Sequence, residues 1–292
     1  MNILLTGASS GLGVALIRRL SNSPDLEIKA MVHRSLVNID GCEARQGDLD
    51  KPELLARAVD GIDTVIHMAA LTSSAQESEY FRTNVAGTQN LVDACVLAGV
   101  KRIIHISSRA ASLDGGGYSR SKLEAEECVK KSGLQWLILR PSEVYGQGTG
   151  DTITRLIHWV RRSPLVPVIG TGQARLSPVY IDDLVFVIER LIFDGVLTSE
   201  TILLAGPEDL TFDELVDRIA GYFGVRRFKL HLPAGLVKFA ATVLSGMGMK
   251  ILVPDQIPRL LCSKDQDISK TSALISYSPR KLEEGMAEYW RD

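Results

Sequence analysis

The sequence predicts an α/β protein built on a doubly wound parallel sheet. Over the first two thirds of the chain, short apolar runs alternate with helix-length segments, the pattern of repeated strand–helix–strand units. The runs are apolar throughout, as expected for strands that are covered on both faces. They occupy residues 2–5, 28–32, 64–68, 102–106 and 136–139.

The regular alternation weakens after about residue 145, where four prolines and glycines fall between residues 164 and 172. From residue 211 onward the pattern is mainly helical. We therefore predict a sheet domain over residues 1–165, completed by residues 176–206. A smaller, mainly helical region would comprise residues 207–292 together with residues 145–175.

The composition is that of an ordinary globular protein, with 292 residues, 45% hydrophobic and 23% charged. A chain of this length can bury a sufficient core without disulfides. The net charge of -2 offers no positive excess for nucleic acid, so we expect no nucleic-acid partner. The four cysteines have no paired spacing, which predicts neither a disulfide framework nor a metal site. No leader pattern follows Met1, and we expect a cytoplasmic protein.

Residues 232–254 are mostly apolar but include Lys238, Lys250, three glycines and a proline near each end. A membrane span would need about 20 uninterrupted apolar residues. The pattern favours amphipathic packing against the body of the protein. A membrane or partner surface is the alternative, and we expect no membrane binding.

A glycine-rich loop joins the first strand to the helix over residues 14–20. Glycines at such a turn allow the backbone to approach a pyrophosphate closely, and the helix N-terminus supplies free N–H groups for its oxygens. Because the loop lies at the first strand-to-helix turn, it predicts a dinucleotide site more strongly than a structural turn. Its candidate binding residues are Gly7, Ser9, Ser10, Gly11, Leu12 and Gly13.

The residue after the second strand should select the cofactor. A carboxylate there binds the adenosine ribose of NAD, whereas a cation accepts the 2′-phosphate of NADP. The strand is followed by His33 and Arg34 and by no carboxylate. Arg34 therefore favours NADP(H) over NAD(H), unless it is simply a solvated residue.

Tyr118 and Lys122 lie four residues apart in a helical segment, so their side chains share one helix face. A free tyrosine, with a pKa of about 10, is a poor acid or base at neutral pH. A nearby ammonium lowers that pKa and makes proton transfer to a substrate oxygen practicable. Lys122 could also hold the nicotinamide ribose. Ser108, after the strand over residues 102–106, could donate a hydrogen bond to the same oxygen.

The motifs, in their order along the chain, resemble those of the extended and atypical branches of the short-chain dehydrogenase/reductase superfamily, the NAD-dependent epimerase/dehydratase group. The resemblance is strong to about residue 220 and faint afterward. Its segments are residues 6–13, 47–49, 67–70, 84–91, 99–108, 118–122, 139–146, 179–184 and 205–207.

The resemblance implies a Rossmann fold with a cap that contacts the substrate. It implies that Asp48 and Leu49 meet the adenine, that Ala69 and Ala70 line the cofactor ribose, and that residues from Pro141 to Val144 border the nicotinamide. Ser108, Tyr118 and Lys122 fall on the family's catalytic positions. The family commonly pairs two subunits, which makes a homodimer possible.

Three departures weaken a nucleotide-sugar assignment but not the cofactor assignment. The glycine spacing is that of the shorter-chain branch, Tyr118 follows Ser108 by only ten residues, and Arg175 is displaced from the position that holds a substrate phosphate. The leading hypothesis is an enzyme that transfers hydride at a carbinol or carbonyl carbon of a sugar nucleotide or another small hydroxy or keto substrate. Reductase and epimerase or dehydratase outcomes both remain open. The alternative is a non-catalytic, cofactor-binding scaffold or redox sensor.

Overall fold

The computed structural model describes residues 1–33, 40–148, 152–194, 199–246 and 254–290. Seven strands form the main sheet, and the others pair in twos outside it. In chain order, the strands are β1 (Asn2–Thr6), β2 (Glu27–Val32), β3 (Glu43–Gln46), β4 (Thr64–His67), β5 (Arg102–Ile106), β6 (Gln135–Pro141), β7 (Val144–Tyr145), β8 (Leu165–Ile169), β9 (Arg175–Leu176), β10 (Val179–Tyr180), β11 (Glu200–Leu204), β12 (Leu210–Thr211) and β13 (Phe228–Leu232).

Helices connect most of these strands, and a π-helical segment (Phe81–Ala86) joins the third helix to the fourth. The α-helices are α1 (Gly11–Leu20), α2 (Pro52–Ala58), α3 (Glu77–Tyr80), α4 (Gly87–Leu97), α5 (Gly116–Lys130), α6 (Thr152–Arg162), α7 (Ile181–Asp194), α8 (Phe212–Tyr222), α9 (Ala234–Gly246), α10 (Gln256–Leu261), α11 (Ser269–Ile275) and α12 (Leu282–Tyr289).

The main sheet is parallel, with the strand order β11-β6-β5-β4-β1-β2-β3. The chain builds outward from β1 to β3 and then crosses to β4 on the other side of β1. The strand order therefore reverses between β1 and β4, and ligands of such sheets bind at the carboxyl ends of the strands at this point. The fold class predicted from the sequence is confirmed.

Each face of the sheet has its own core. Leu5 and its neighbours pack with α1 and α7, whereas Leu4 packs with α2 and α4 on the opposite face. Every residue of β4 and β5 is buried. This double coverage explains why the strands are continuously apolar in the sequence.

Outside the sheet, β8 pairs with β13, β9 with β12, and α6 packs against α8. Thr211 and Glu214 form a capping box that fixes the start of α8. The boundaries between this region and the sheet domain, given above from the sequence, stay a prediction.

The expected packing of the apolar segment is wrong for α9. Leu236, Phe239 and Val243 are 60%, 69% and 46% exposed, although Ala241 is buried. The small Ala241 meets the body, so the larger apolar side chains face away from it. Residues 247–253 of the segment, including Lys250, lie outside the described residues. None of the helices that the structure describes is long and apolar enough to cross a membrane.

Candidate active site

The glycine loop between β1 and α1 has the shape that a pyrophosphate requires. Gly7 has a φ of +70°, and a Cβ on it would lie 2.7 Å from the backbone nitrogen of Ala69. A Cβ on Gly13 would lie 2.6 Å from the carbonyl oxygen of Gly7. Ser10 caps α1, its Oγ accepting a hydrogen bond from the backbone N–H of Gly13 at 3.0 Å. A side chain at either glycine would displace the loop that leads into the helix N-terminus.

Behind this loop, buried hydrogen bonds fix the ends of β1 and β4 together. Thr6 Oγ1 accepts from the backbone N–H groups of Met68 and Ala69 at 3.2 and 3.1 Å. Its own hydrogen then points to His67 Nδ1, 2.7 Å away. Thr88 donates to the Asn84 carbonyl, so it accepts from His67 Nε2 at 2.9 Å. Burial, together with the positive charge of Lys122, lowers the pKa of His67 to about 3, and the ring stays neutral.

The loop cavity, of about 640 Å³, lies at the carboxyl ends of β1, β2 and β4. Asp48 lies beside the end of β2, its Oδ2 3.0 Å from His33 Nε2. The sequence-predicted cofactor residues that line this cavity are Gly7, Ser9, Ser10, Asp48, Leu49, Ala69 and Ala70.

The other cofactor residues predicted from the sequence lie elsewhere. Gly11 lines a separate cavity of about 790 Å³ between α1 and α7. Leu12 packs partly against the core, and Gly13 is buried inside α1. Val144 is half-buried in β7. Arg34 lies outside the described residues.

The tyrosine cavity, of about 330 Å³, lies on the other side of the sheet's carboxyl edge, between β6 and the C-terminal region. Ser108, Tyr118 and Pro141 line it together. Ser108 Oγ accepts from the backbone N–H of Ala110 at 3.1 Å, which leaves its O–H free to donate. Two of the three predicted catalytic residues therefore share one cavity.

Lys122, the third predicted catalytic residue, is buried and does not line this cavity. Its Nζ donates to the Ile106 carbonyl at 2.9 Å and lies 3.5 Å from His105 Nε2. Among the residues that the structure describes, no hydrogen bond joins Lys122 to Tyr118. Burial lowers the pKa of Lys122 to about 8, although the Glu126 carboxylate acts in the opposite direction. The ammonium therefore predominates at neutral pH and is lost in mildly alkaline solution.

Tyr118 lies in the first turn of α5, which begins at Gly116. The carboxylate of Asp255 accepts from the backbone N–H of Gly117 at 2.6 Å and of Tyr118 at 3.3 Å, so it caps the helix from a distant part of the chain. Arg259, one turn further on, lies over the Tyr118 ring at 4.5 Å. Sequence reasoning missed both residues, because the segment that carries them has no motif.

Asn84 ties the loop after β4 to α5. Its side-chain amide donates to Ser121 Oγ at 2.9 Å and to the Leu71 carbonyl at 3.1 Å, and its Oδ1 accepts from the Leu71 N–H at 2.7 Å. The loop and tyrosine cavities are thus held in a fixed relation by buried side-chain bonds. Asn84 opens the motif over residues 84–91 that belongs to the sequence resemblance.

Comparison with known proteins finds a family model and several relatives that match this chain. The model of the NAD dependent epimerase/dehydratase family matches residues 3–197. The chain is 26% identical to the UDP-glucose 4-epimerase of Vibrio cholerae, over 98% of this chain and 94% of that protein. It is 28% identical to the 3beta-hydroxysteroid-dehydrogenase/decarboxylase isoform 1 of Arabidopsis thaliana, over 82% of this chain. The chain spans 64% of the length of that relative and 50% of isoform 2.

Among solved structures, the chain is similar to MoeE5 in complex with UDP-glucose and NAD, with 25% identity and a TM-score of 0.79. The alignment covers 99% of this chain and 97% of MoeE5. A second MoeE5 complex, with UDP-glucuronic acid, also contains NAD. The preference for NADP(H) predicted from Arg34 is therefore wrong. The prediction considered only the residues after β2, whereas Asp48 brings a carboxylate to the same place from β3, where it would repel a 2′-phosphate.

Proposed function

Since the chain belongs to the NAD-dependent epimerase/dehydratase family of short-chain dehydrogenase/reductase enzymes, we propose that it binds NAD across the loop cavity and transfers hydride in the tyrosine cavity. The substrate would be a hydroxy or keto compound, with the reacting carbon next to Ser108 and Tyr118. The observation that carries this proposal is that both side chains line one cavity at the carboxyl edge of the sheet. The close backbone approach at Gly7 and Gly13 supports the cofactor position.

Bound NAD supplies a hydride acceptor, and its reduced form supplies a hydride donor. The protein's side chains accept and donate the proton that accompanies the hydride. During oxidation of an alcohol, Tyr118 as tyrosinate takes the hydroxyl proton while the carbon loses hydride, and the C–O bond becomes a carbonyl. In the reverse direction the Tyr118 phenol returns that proton. Ser108 donates a hydrogen bond to the same oxygen and stabilises its developing negative charge.

Lys122 would hold the nicotinamide ribose. Its buried ammonium lies one helical turn along α5 from Tyr118. The same set of residues serves a reductase, in which the cofactor exchanges, and an epimerase or dehydratase, in which hydride returns to the substrate. One relative is named as a UDP-glucose 4-epimerase and another as a 3beta-hydroxysteroid-dehydrogenase/decarboxylase, so the relatives' names include both a sugar nucleotide and a steroid. We propose oxidation or reduction of a secondary carbinol or carbonyl as the common step.

The substitution Tyr118→Phe tests this assignment. We expect it to lower NAD-dependent turnover by about 10²–10⁴-fold, the usual contribution of a general acid–base residue. The affinity for NAD should stay unchanged, because the residue lies outside the loop cavity. Turnover is followed by NADH absorbance with a panel of secondary alcohols and sugar nucleotides, and NAD affinity by calorimetry.

Tyr80→Phe is the matched control, since it removes the same atom from a tyrosine whose ring centre lies 6.1 Å from that of Tyr118. In the described part of the chain, Tyr80 bonds to Ser74 and also interacts with Asp255, but it lines neither the loop cavity nor the tyrosine cavity, so turnover should be retained. Equal turnover of the Tyr118→Phe variant and the wild type would favour the non-catalytic, cofactor-binding alternative.

A further inference from the structure

The wall of the tyrosine cavity contains a buried ionic cluster that the hydride-transfer step does not use. Arg109 and Lys264 side chains are 1% and 4% exposed, and Glu143 lies between them. Arg109 Nη2 donates to both carboxylate oxygens of Glu143, at 2.9 and 2.7 Å. Lys264 Nζ lies 3.5 Å from one of the same oxygens. All three residues line the cavity.

The charges of this cluster do not balance. Burial alone would raise the pKa of Glu143, but Arg109 and Lys264 lower it below its ordinary value, so Glu143 is ionised. Arg109 and Lys264 share this one carboxylate; burial lowers the pKa of Lys264, whereas Glu143 acts in the opposite direction. Arg259 adds a further cation to the cavity lining. A buried charge without a partner is unfavourable. An anionic group entering the cavity would neutralise part of this excess.

Two donors of the cluster are incompletely used. Arg109 Nε is buried and has no acceptor among the described residues. Lys264 Nζ has contacts of 3.4 Å to the Leu260 carbonyl and 3.5 Å to Glu143, both longer than a normal N–H···O bond. An ammonium can donate three hydrogen bonds. The cluster therefore has hydrogen-bonding capacity left for a ligand.

The remaining wall is largely apolar. A volume of about 330 Å³ is at the lower end for small-molecule pockets. Hydrocarbon fits such a wall better than a polyhydroxylated sugar, because sugar hydroxyls would lose water without gaining partners. The apolar side chains belong to Ile153, Pro167, Ile169, Leu176, Phe212 and Leu260.

From this arrangement we propose that the substrate is a hydroxy or keto acid with an apolar body, whose carboxylate binds Lys264 and Arg109. The inference rests on the proposed function and adds the substrate class to it. A cavity of about 330 Å³ also leaves less room for a nucleoside diphosphate than for a single carboxylate with an apolar body.

Binding of unreactive probes tests the proposal without any turnover. Decanoate, methyl decanoate and UDP are titrated by calorimetry into the wild-type protein in the presence of NAD. A charge-assisted hydrogen bond contributes enough to change affinity by about 10–100-fold, and we expect decanoate to bind that much more tightly than its methyl ester. Equal binding of the two, no binding of decanoate, or tighter binding of UDP in competition with decanoate would overturn the proposal.

The variant Lys264→Met separates recognition from a purely structural role. It should reduce the affinity for decanoate to that of methyl decanoate and leave the ester's affinity unchanged, whereas Lys264→Arg should keep the preference. Equal loss for both probes would indicate a structural role only. Lys270→Met is the control, since this lysine is 75% exposed and pairs with Glu200 outside the cavity.

If Lys264→Met does not fold, the wild-type comparison of acid and ester still decides the question. The proposed function fails on a different result, which is an unchanged turnover in Tyr118→Phe or an absence of NAD binding. Preference for decanoate is measured independently of both.

Discussion

The buried position of Lys122 lowers the free energy of unfolding of the protein. The side chain is 2% exposed, and burial lowers its pKa from an ordinary 10.5 to about 8. Its Nζ has a carbonyl and a neutral imidazole within reach. Holding the ammonium there at neutral pH costs about 3 kcal/mol, from the difference between the two pKa values. Such a cost is expected of a residue retained for chemistry.

The substitution Lys122→Met should therefore stabilise the fold in a pH-dependent way. Between pH 8 and 10.5 the unfolded chain holds the lysine proton and the folded chain does not, so wild-type stability rises with pH in this window. Below pH 8 the full penalty is present. We expect the stability advantage of the Met variant to shrink by about 3 kcal/mol from pH 8 to 10.5.

Urea unfolding of both proteins across this range measures the difference directly. Lys131→Met, at the exposed C-terminal end of the same helix, should show no comparable change relative to the wild type. A constant difference between Lys122→Met and the wild type would contradict a buried ammonium.

Among the helices, the sequence predicts the N-terminus of α1 better than the N-terminus of α5. The sequence predicted the start of α1 at residue 14, three residues after its start at Gly11, because Ser10 and the glycines of its loop are adjacent in the chain. The start of α5 has no such adjacent signal, because its N–H groups are satisfied by Asp255, 138 residues away from Gly117. The three consecutive glycines from Gly115 consequently have the sequence pattern of a flexible turn, although two of them open the helix.

A pair of glycine substitutions tests the role of the α1 loop. Gly13→Ala places a methyl group 2.6 Å from the Gly7 carbonyl oxygen, which is backbone and cannot move away alone. We expect a large loss of NAD affinity, measured by calorimetry, because the loop must shift from the helix N-terminus.

Gly221→Ala is the matched change in α8, where nothing lies within 4 Å of the added carbon. It should leave NAD affinity unchanged and raise stability by about 1 kcal/mol through helix propensity. Equal NAD affinity in the two variants would contradict the assignment of the loop.

At the scale of the whole molecule, the sequence predicted the features that local pattern determines. The parallel sheet and the glycine loop both follow from short contiguous segments. The ionic cluster in the tyrosine cavity could not be predicted, since Arg109 and Lys264 are distant in sequence and meet only after folding. The error about the cofactor has the same origin, because Asp48 reaches the end of β2 from a different strand.

Large apolar side chains of α9 are exposed. Its pattern predicted packing against the body, but sequence periodicity specifies an apolar face without specifying what covers it. The absence of nucleic-acid and membrane binding and the homodimer stay predictions.

Calorimetric titration of the purified chain with NAD and, separately, with NADP tests whether the loop cavity is an NAD site. We expect a single NAD site per chain and weaker binding of NADP, because Asp48 brings a carboxylate to the end of β2 that would repel a 2′-phosphate. Binding of neither nucleotide, or tighter binding of NADP than of NAD, would refute the proposed cofactor site.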